Sequence, residues 1–334
     1  MQNNKGLMDG VNSLKDKHVL VTGGAGFIGS NLVEFLLNNS IRVSVLDNLS
    51  TGKRTNLDEF VDNPLFNFIE GDITDFNTCL NAVNGVDVIS HQAALGSVPR
   101  SIEFPHNTHS VNATGFLNML HAAKEKGVKR FVFASSSSVY GNSKNSPKKI
   151  GEEGEVLSPY AVTKQLNEEY AKVYRKLHDM ETIGLRYFNV FGPKQDPNGV
   201  YAAAIPKFID KMIKGEELVI NGDGEQTRDF TFVGNAVMAN VLALATNNVS
   251  AYGTSFNVAC GEYFSLNQVI TEIRKNLEQL GLFNVNTQIK HGPERKGDVR
   301  DSLADITPIS EKLNYNNPVL FSEGIIDLCK SFKK

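Results

Sequence analysis

A glycine-rich turn near the start of the chain narrows the possible folds more than any other feature. Val19-Leu20-Val21-Thr22 reads as a short buried strand. Gly23-Gly24-Ala25-Gly26-Phe27-Ile28-Gly29 follows, with glycines at 23, 26 and 29, and the stretch 31–37 is helical in pattern. Such glycines let the backbone turn tightly, approach a pyrophosphate and bring helix close to strand. The helix N-terminus then turns free N–H groups toward phosphates. A second strand, 41–46, ends at Asp47, eighteen residues after Gly29. A carboxylate there can accept hydrogen bonds from both ribose hydroxyls of an adenosine. It repels a 2′-phosphate, so NAD is favoured over NADP.

Strands expected at 65–69, 86–90 and 130–134 alternate with helical stretches near 75–83, 109–126 and 159–178. The helix near 113–126 places Phe116, Leu117 and Leu120 on one side, as core packing requires. This alternation predicts an α/β fold: a Rossmann-type doubly wound parallel sheet with a smaller C-terminal α/β lobe for substrate. Ligands of such sheets bind beyond the carboxyl ends of the strands. Segments 22–29, 47–48, 71–73, 91–97 and 135–138 all follow strand ends, which points to one shared site. The expected division is a loose tail over 1–16, an NAD-binding domain over 17–190, and a lobe over 191–334. That last stretch is expected to be mainly substrate-binding, with some segments returning to the first domain. It opens with a loop at 192–199, then a helix near 202–214 and a strand at 218–221.

Tyr160 and Lys164 are four residues apart, and a serine run from Ser135 to Ser138 precedes them. Four helical residues turn through about 400°, so the two side chains share a face. At roughly 6 Å and an effective dielectric near 20, the ammonium would favour the tyrosinate by about 3 kcal/mol. That is about two pKa units, enough to bring a phenol toward use as a base near neutrality. The spacing alone is common in helices; its meaning comes from the glycine turn and the acid that accompany it. The serines have an alternative role as turn caps.

Composition narrows the class. The chain has 334 residues, 41% of them hydrophobic, with a formal charge of −3. That supports a sizeable core and argues against a nucleic-acid surface. No run reaches the length of a membrane span, and the first seventeen residues lack the apolar stretch of a signal peptide. Cys79, Cys260 and Cys329 are far apart and match no metal or disulfide spacing, which suits a reducing, cytoplasmic setting. Arg228 and Arg295 lie in polar segments beside acids. Each is either salt-bridged on the surface or part of a clamp on a diphosphate.

Taken together, Thr22-Gly-Gly-Ala-Gly-Phe-Ile-Gly29, Asp47-Asn48, Gly71-Asp72, His91-Gln-Ala-Ala94, Ser135 to Gly141, Tyr160-x-x-x-Lys164 and Arg186-Tyr-Phe-Asn189 resemble the extended short-chain dehydrogenase/reductase family. Within it the chain is most similar to nucleotide-sugar 4-epimerases. The stretches 91–101 and 189–199 are closest to bacterial UDP-N-acetylglucosamine 4-epimerases of surface-polysaccharide pathways. The resemblance spans 17–330. It implies a cycle in which Tyr160 removes the proton of the sugar 4-hydroxyl while hydride passes from C4 to NAD. The 4-keto sugar then swings about its diphosphate and is reduced on the other face. Lys164 would also bond the nicotinamide ribose, and Ser136 would bond O4 and relay the proton.

By the same resemblance, Gly23, Gly26, Phe27, Ile28, Gly29, Asp47, Asn48, Asp72, Ile73, Ala93, Ala94 and Asn112 line the cofactor, and Tyr187 approaches the nicotinamide end. Ser137 and Ser138 touch the sugar. Asn189, Arg228 and Arg295 hold the diphosphate, and Ser97, Gln195 and Ala203 make further sugar or nucleotide contacts. His91, His106 and His109 receive no catalytic role. Two departures bear on substrate. Related dehydratases place an Asp-Glu pair where this chain has Ser137 and Ser138, so the acid for elimination is missing. Galactose-restricted epimerases carry a tyrosine where this chain has Ser302, and a small side chain leaves room for a 2-N-acetyl group.

The expected reaction is therefore UDP-GlcNAc to UDP-GalNAc interconversion. The alternatives are UDP-Glc/UDP-Gal, a UDP-N-acetylated uronic acid, and a non-catalytic NAD-sensing protein. An acidic sugar would need a cation near C6, and the sequence places none. Val162, Leu166, Tyr170, Val173 and Leu177 form an apolar stripe turned away from Tyr160. It packs either within the monomer or against a symmetric copy, and the resemblance implies a homodimer.

Overall fold

The computed structural model describes residues 5–199, 203–293 and 301–333. Its centre is a sheet of β1 (His18–Thr22), β2 (Arg42–Asp47), β3 (Phe66–Glu70), β4 (Val88–His91), β5 (Arg130–Ser136), β6 (Glu181–Tyr187) and β7 (Thr254–Val258). In space the order is β7-β6-β5-β4-β1-β2-β3, and every neighbouring pair is parallel. The winding direction reverses between β1 and β4. A crevice opens there because the following loops leave in opposite directions.

Both faces of the sheet are covered, so the strands are apolar on both sides. Val19 and Val21 join one core with the helices Phe27–Asn38 and Val233–Ala245. Leu20 points the other way, into a core with Phe76–Ala82, Phe116–Glu125 and Pro159–His178. This is the expected α/β/α arrangement, with strand ends moved by one or two residues. β6 and β7 were not anticipated as sheet members. β7 comes from beyond residue 191, so the chain returns to the first sheet after entering the lobe.

The first residues correct the expectation of a loose tail. Lys5–Leu14 is a helix, and Leu7, Val11 and Leu14 are buried. They recur at helical spacing and lie on Val233–Ala245; a Cβ added to Gly10 would sit 3.4 Å from Val241. The polar composition hid this stripe. Without it, the outer face of one of the most apolar helices in the protein would meet water.

The lobe has a core of its own, built from Phe208, Ile209, Ile273 and Phe321 among others. The expected helix forms as Ala204–Lys214 and the expected strand as Leu218–Asn221, paired with Ile289–Gly292. Thr227–Arg228 pairs with Phe264–Ser265 on one side and with Asp301–Ser302 on the other. In that register Ser302 lies opposite Arg228.

Candidate active site

One cavity of about 790 Å³ opens over the carboxyl ends of the strands. At one end it is lined by Gly23, Gly26, Phe27, Ile28 and Gly29. Gly23 has φ of +67°, and a Cβ on it would come within 2.7 Å of Ala93. A Cβ on Gly29 would come within 2.2 Å of the Gly23 carbonyl oxygen. Both positions therefore demand glycine. Gly26 caps the helix Phe27–Asn38 without a side-chain bond, which leaves the first N–H groups to a ligand. This turn fits a pyrophosphate.

Asp47 closes β2 and lines the same end. Its oxygens accept the amides of Ala25 at 2.9 Å and Leu49 at 2.8 Å. Burial pushes its carboxyl above the ordinary range, against those two amides. Asn48, Ile73, Ala93 and Ala94 line the cavity beside it. Asp72 stands behind: it accepts from the Asn48 side chain at 2.8 Å and from the Thr74 amide at 2.8 Å. Asn112 is also a support. It lies in a π-helical turn, Ser110–Gly115, and its side chain holds both backbone groups of Leu95.

Ser136, Tyr160 and Lys164 come together on the wall of the cavity. The Lys164 Nζ donates to the Ala134 carbonyl at 2.7 Å and lies 5.8 Å from the Tyr160 ring centre. Burial lowers the ammonium pKa to about 8, while Glu168 raises it. Burial also pushes the Tyr160 phenol up, and its hydrogen bond with Ser136 pulls it back in part. The four-residue spacing shows the ammonium but not the depth of burial, and for Tyr160 desolvation is the larger effect. His91 stays neutral, its pKa lowered to about 3 by burial and then by Lys164. It bonds Thr22 at 2.9 Å and stacks on Phe131, a packed histidine without a catalytic contact.

Ser137, Ser138, Tyr187, Asn189, Arg228 and Ser302 complete the wall. The Tyr187 hydroxyl donates to Gln92 at 3.0 Å and accepts from Asn240 at 2.8 Å. Asn189 holds the Asp229 carbonyl at 3.0 Å. Among the described residues the Ser138 hydroxyl is buried with no hydrogen-bond partner, which suits a group that contacts a ligand. Like Asp72 and Asn112, which were anticipated to line the cofactor, three anticipated sugar or nucleotide contacts lie off the wall. Ser97 caps the short helix Val98–Glu103, Gln195 bonds the Val190 carbonyl at 3.2 Å, and Ala203 is exposed just before Ala204–Lys214. Arg295 is outside the described residues.

With this geometry, comparison with known proteins is decisive at the level of family. The profile of the NAD dependent epimerase/dehydratase family matches residues 19–259. The chain belongs to that family. A UDP-glucose 4-epimerase of Mycolicibacterium smegmatis is 36% identical over 316 residues, 94% of this chain and 98% of that one. The solved UDP-N-acetylglucosamine 4-epimerase from Methanobrevibacter ruminantium M1, in complex with UDP-N-acetylmuramic acid, is 38% identical with a TM-score of 0.88, covering 96% of this chain and 99% of that one. The solved UDP-glucuronic acid 4-epimerase from Bacillus cereus, in complex with UDP-glucuronic acid and NAD, is 31% identical with a TM-score of 0.85, covering 95% and 99%.

This epimerase-family enzyme therefore uses NAD, and its glycine turn and Asp47 line one end of the cavity. Sequence reading missed the buried support of the helix Pro159–His178. Glu168 accepts from Ser135 at 2.5 Å and from Arg186 at 2.9 and 2.8 Å, and Arg186 also pairs with Glu153. The spacing Tyr160, Lys164, Glu168 held the signal for the first of these. Gln92 lay in the quoted His91-Gln-Ala-Ala94 motif without a role, and Asn240, from a distant segment, carried no signal.

Proposed function

We propose that this enzyme is a nucleotide-sugar 4-epimerase that interconverts UDP-GlcNAc and UDP-GalNAc. When bound, NAD supplies the acceptor and donor of hydride beside the sugar C4. Tyr160, helped by Ser136, takes the proton of the 4-hydroxyl and later returns it. Lys164 offers a positive charge that favours the phenolate over the phenol. Arg228 and Asn189 anchor the diphosphate, so the sugar alone turns over between the two half-reactions.

The observation that carries the choice of sugar is Ser302 on the cavity wall opposite Arg228. A serine there leaves volume for an acetamido group that a tyrosine would fill. The relative with UDP-N-acetylglucosamine in its name agrees with this reading. The M. smegmatis relative favours UDP-Glc/UDP-Gal as the second one. Purified protein should form UDP-GalNAc from UDP-GlcNAc without added NAD. Its kcat/KM should exceed that for UDP-Glc by about tenfold or more. Equal turnover of the two would refute the preference.

A homodimer belongs to the same proposal. Val162, Val173 and Leu177 are 49%, 44% and 71% exposed on one face of the catalytic helix, and Ile102 and Phe104 of the segment packed beside it are 63% and 51% exposed. An apolar face of this extent fits a second copy of the chain. Light scattering after size exclusion should give twice the chain mass.

No helix of the described residues is long and apolar enough to cross a membrane. All three cysteines are free and buried, which suits the cytoplasmic setting.

A further inference from the structure

Tyr187 ends β6 and Gln92 directly follows β4, while β5 runs between them. Their side chains nevertheless meet: the Tyr187 hydroxyl donates to the Gln92 Oε1 at 3.0 Å. The tyrosine therefore reaches across the end of β5. Ser136 closes that strand and is the register partner of Tyr187. Side chains alternate along a strand, so Ser136 shares a face with Val132, which packs in the same core as Tyr187 and the helix Val233–Ala245. On that face the tyrosine passes under the strand end that carries Ser136.

A closed ring of hydrogen bonds holds this reach. Asn240, fully buried in Val233–Ala245, donates from Nδ2 to the Tyr187 hydroxyl at 2.8 Å and to the Ala236 carbonyl at 2.8 Å. Gln92 donates from Nε2 to the Asn240 Oδ1 at 3.0 Å and to the Ser90 hydroxyl at 3.0 Å, and Ser90 donates to the same Oδ1 at 3.0 Å. The Ala236 carbonyl can only accept, so the Asn240 amide has one orientation. That orientation sets the Gln92 amide, whose oxygen is what remains for Tyr187. Each bond of the ring thus has a fixed direction, and the Tyr187 proton is committed to Gln92. Exchanging both partners of a buried hydrogen bond for apolar groups is often nearly neutral, so stability alone does not call for two buried amides here. A fully satisfied network does rigidify. This one joins the ends of β4, β5 and β6, and those segments put Ala93, Ser136 and Asn189 on the cavity wall.

We propose that Asn240 and Gln92 are positioning residues for the proton exchange: with Tyr187 they form a strut across β5 that fixes Ser136 beside Tyr160. This inference rests on the reading of Tyr160 and Ser136 as the proton-exchanging pair and adds the residues that place Ser136.

Asn240 is off the cavity wall, so its substitution reaches the chemistry through its neighbours. The test measures epimerisation of UDP-GlcNAc by wild type, Asn240→Leu, Tyr187→Phe and the double variant. Asn240→Leu should lower kcat by about tenfold, since misplaced groups cost rate, with KM for the sugar within about threefold of wild type. In the Tyr187→Phe background the same substitution should cost less than about twofold, because the strut is already broken. An equal cost in both backgrounds would overturn the proposal, as would a loss confined to KM or no loss at all. Should Asn240→Leu fail to fold, Gln92→Met opens the ring from its other side and takes its place in the cycle. Hydrogen exchange read by mass spectrometry needs no turnover, so it tests the strut even if the choice of reaction is wrong. In Asn240→Leu and in Tyr187→Phe the stretch 134–138 should exchange faster by about fivefold or more, while 42–47 on β2 keeps its wild-type rate. Unchanged exchange at 134–138, or equal acceleration of both stretches, would show that no such strut holds β5.

Discussion

The Lys164 ammonium and the Glu168 carboxylate stand one helical turn apart on the same face of Pro159–His178, and both are sealed from water. Glu168 is gripped by Arg186 and Ser135, while Lys164 holds the carbonyl of Ala134, the neighbour of Ser135. The helix is thereby stitched to β5 next to Ser136. Glu168 also opposes the burial that brings the Lys164 pKa down to about 8. The ammonium is present below that pH and lost above it, so activity that needs it declines on the alkaline side. Glu168→Gln removes the opposing charge and lowers the Lys164 pKa further. The alkaline limb of kcat/KM should then move toward acid by about one pH unit. A limb that stays in place in a folded variant would falsify the coupling.

Tyr160→Phe removes the hydroxyl that exchanges the proton and keeps the ring that fills the site. General acid–base catalysis is worth roughly 10²- to 10⁴-fold, and kcat should fall by about that factor. NAD should still bind, because the glycine turn and Asp47 are untouched. An unchanged rate would remove Tyr160 from the chemistry. It would also revive the reading of the protein as a sensor of NAD.

The sheet and the cofactor end were legible because their signals are local. A buried strand, a glycine turn and an acid at the next strand end are contiguous pieces of chain, and β1 and β2 formed within a residue or two of expectation. The Lys5–Leu14 helix was not legible, since its three apolar residues matter only against Val233–Ala245, over two hundred residues away. The phenol pKa was misjudged because four-residue spacing reveals a neighbouring charge and conceals the depth of burial. Ser97, Gln195 and Ala203 carry a family pattern, yet here local capping and backbone bonds occupy the first two.

Ser302→Tyr tests the volume argument directly. The new ring would enter the cavity opposite Arg228. Turnover of UDP-GlcNAc should fall by about tenfold or more while UDP-Glc is affected less. Loss of both in equal measure, or retention of both, would mean that residue 302 does not gate the acetamido group.

Asp229, next to Arg228, ties segments of the C-terminal lobe together. Its carboxylate accepts the amides of Cys260 at 3.0 Å, Gly261 at 3.1 Å and Ala304 at 3.3 Å. Burial pushes its carboxyl from 3.8 up to about 7, despite those amides. The folded chain therefore holds this proton where the unfolded chain has released it. The stabilising contribution is complete below about pH 4 and is lost as the pH rises toward 7. Melting temperatures of wild type and Asp229→Asn across that window should show the wild type falling more steeply. Parallel slopes would show that Asp229 does not titrate in the fold as described.

Leu14→Ala probes the N-terminal helix that composition concealed. Leu14 is 2% exposed and packs in the same core as Leu7, Val11 and Val241. Truncating a buried leucine costs about 2–5 kcal/mol, since it loses apolar contact and leaves a cavity. The variant should unfold at lower denaturant with an unchanged m-value. The helix is no part of the cavity wall, so kcat and KM measured below the transition should match wild type. Wild-type stability in Leu14→Ala would mean that the helix does not stay docked on Val233–Ala245 in solution.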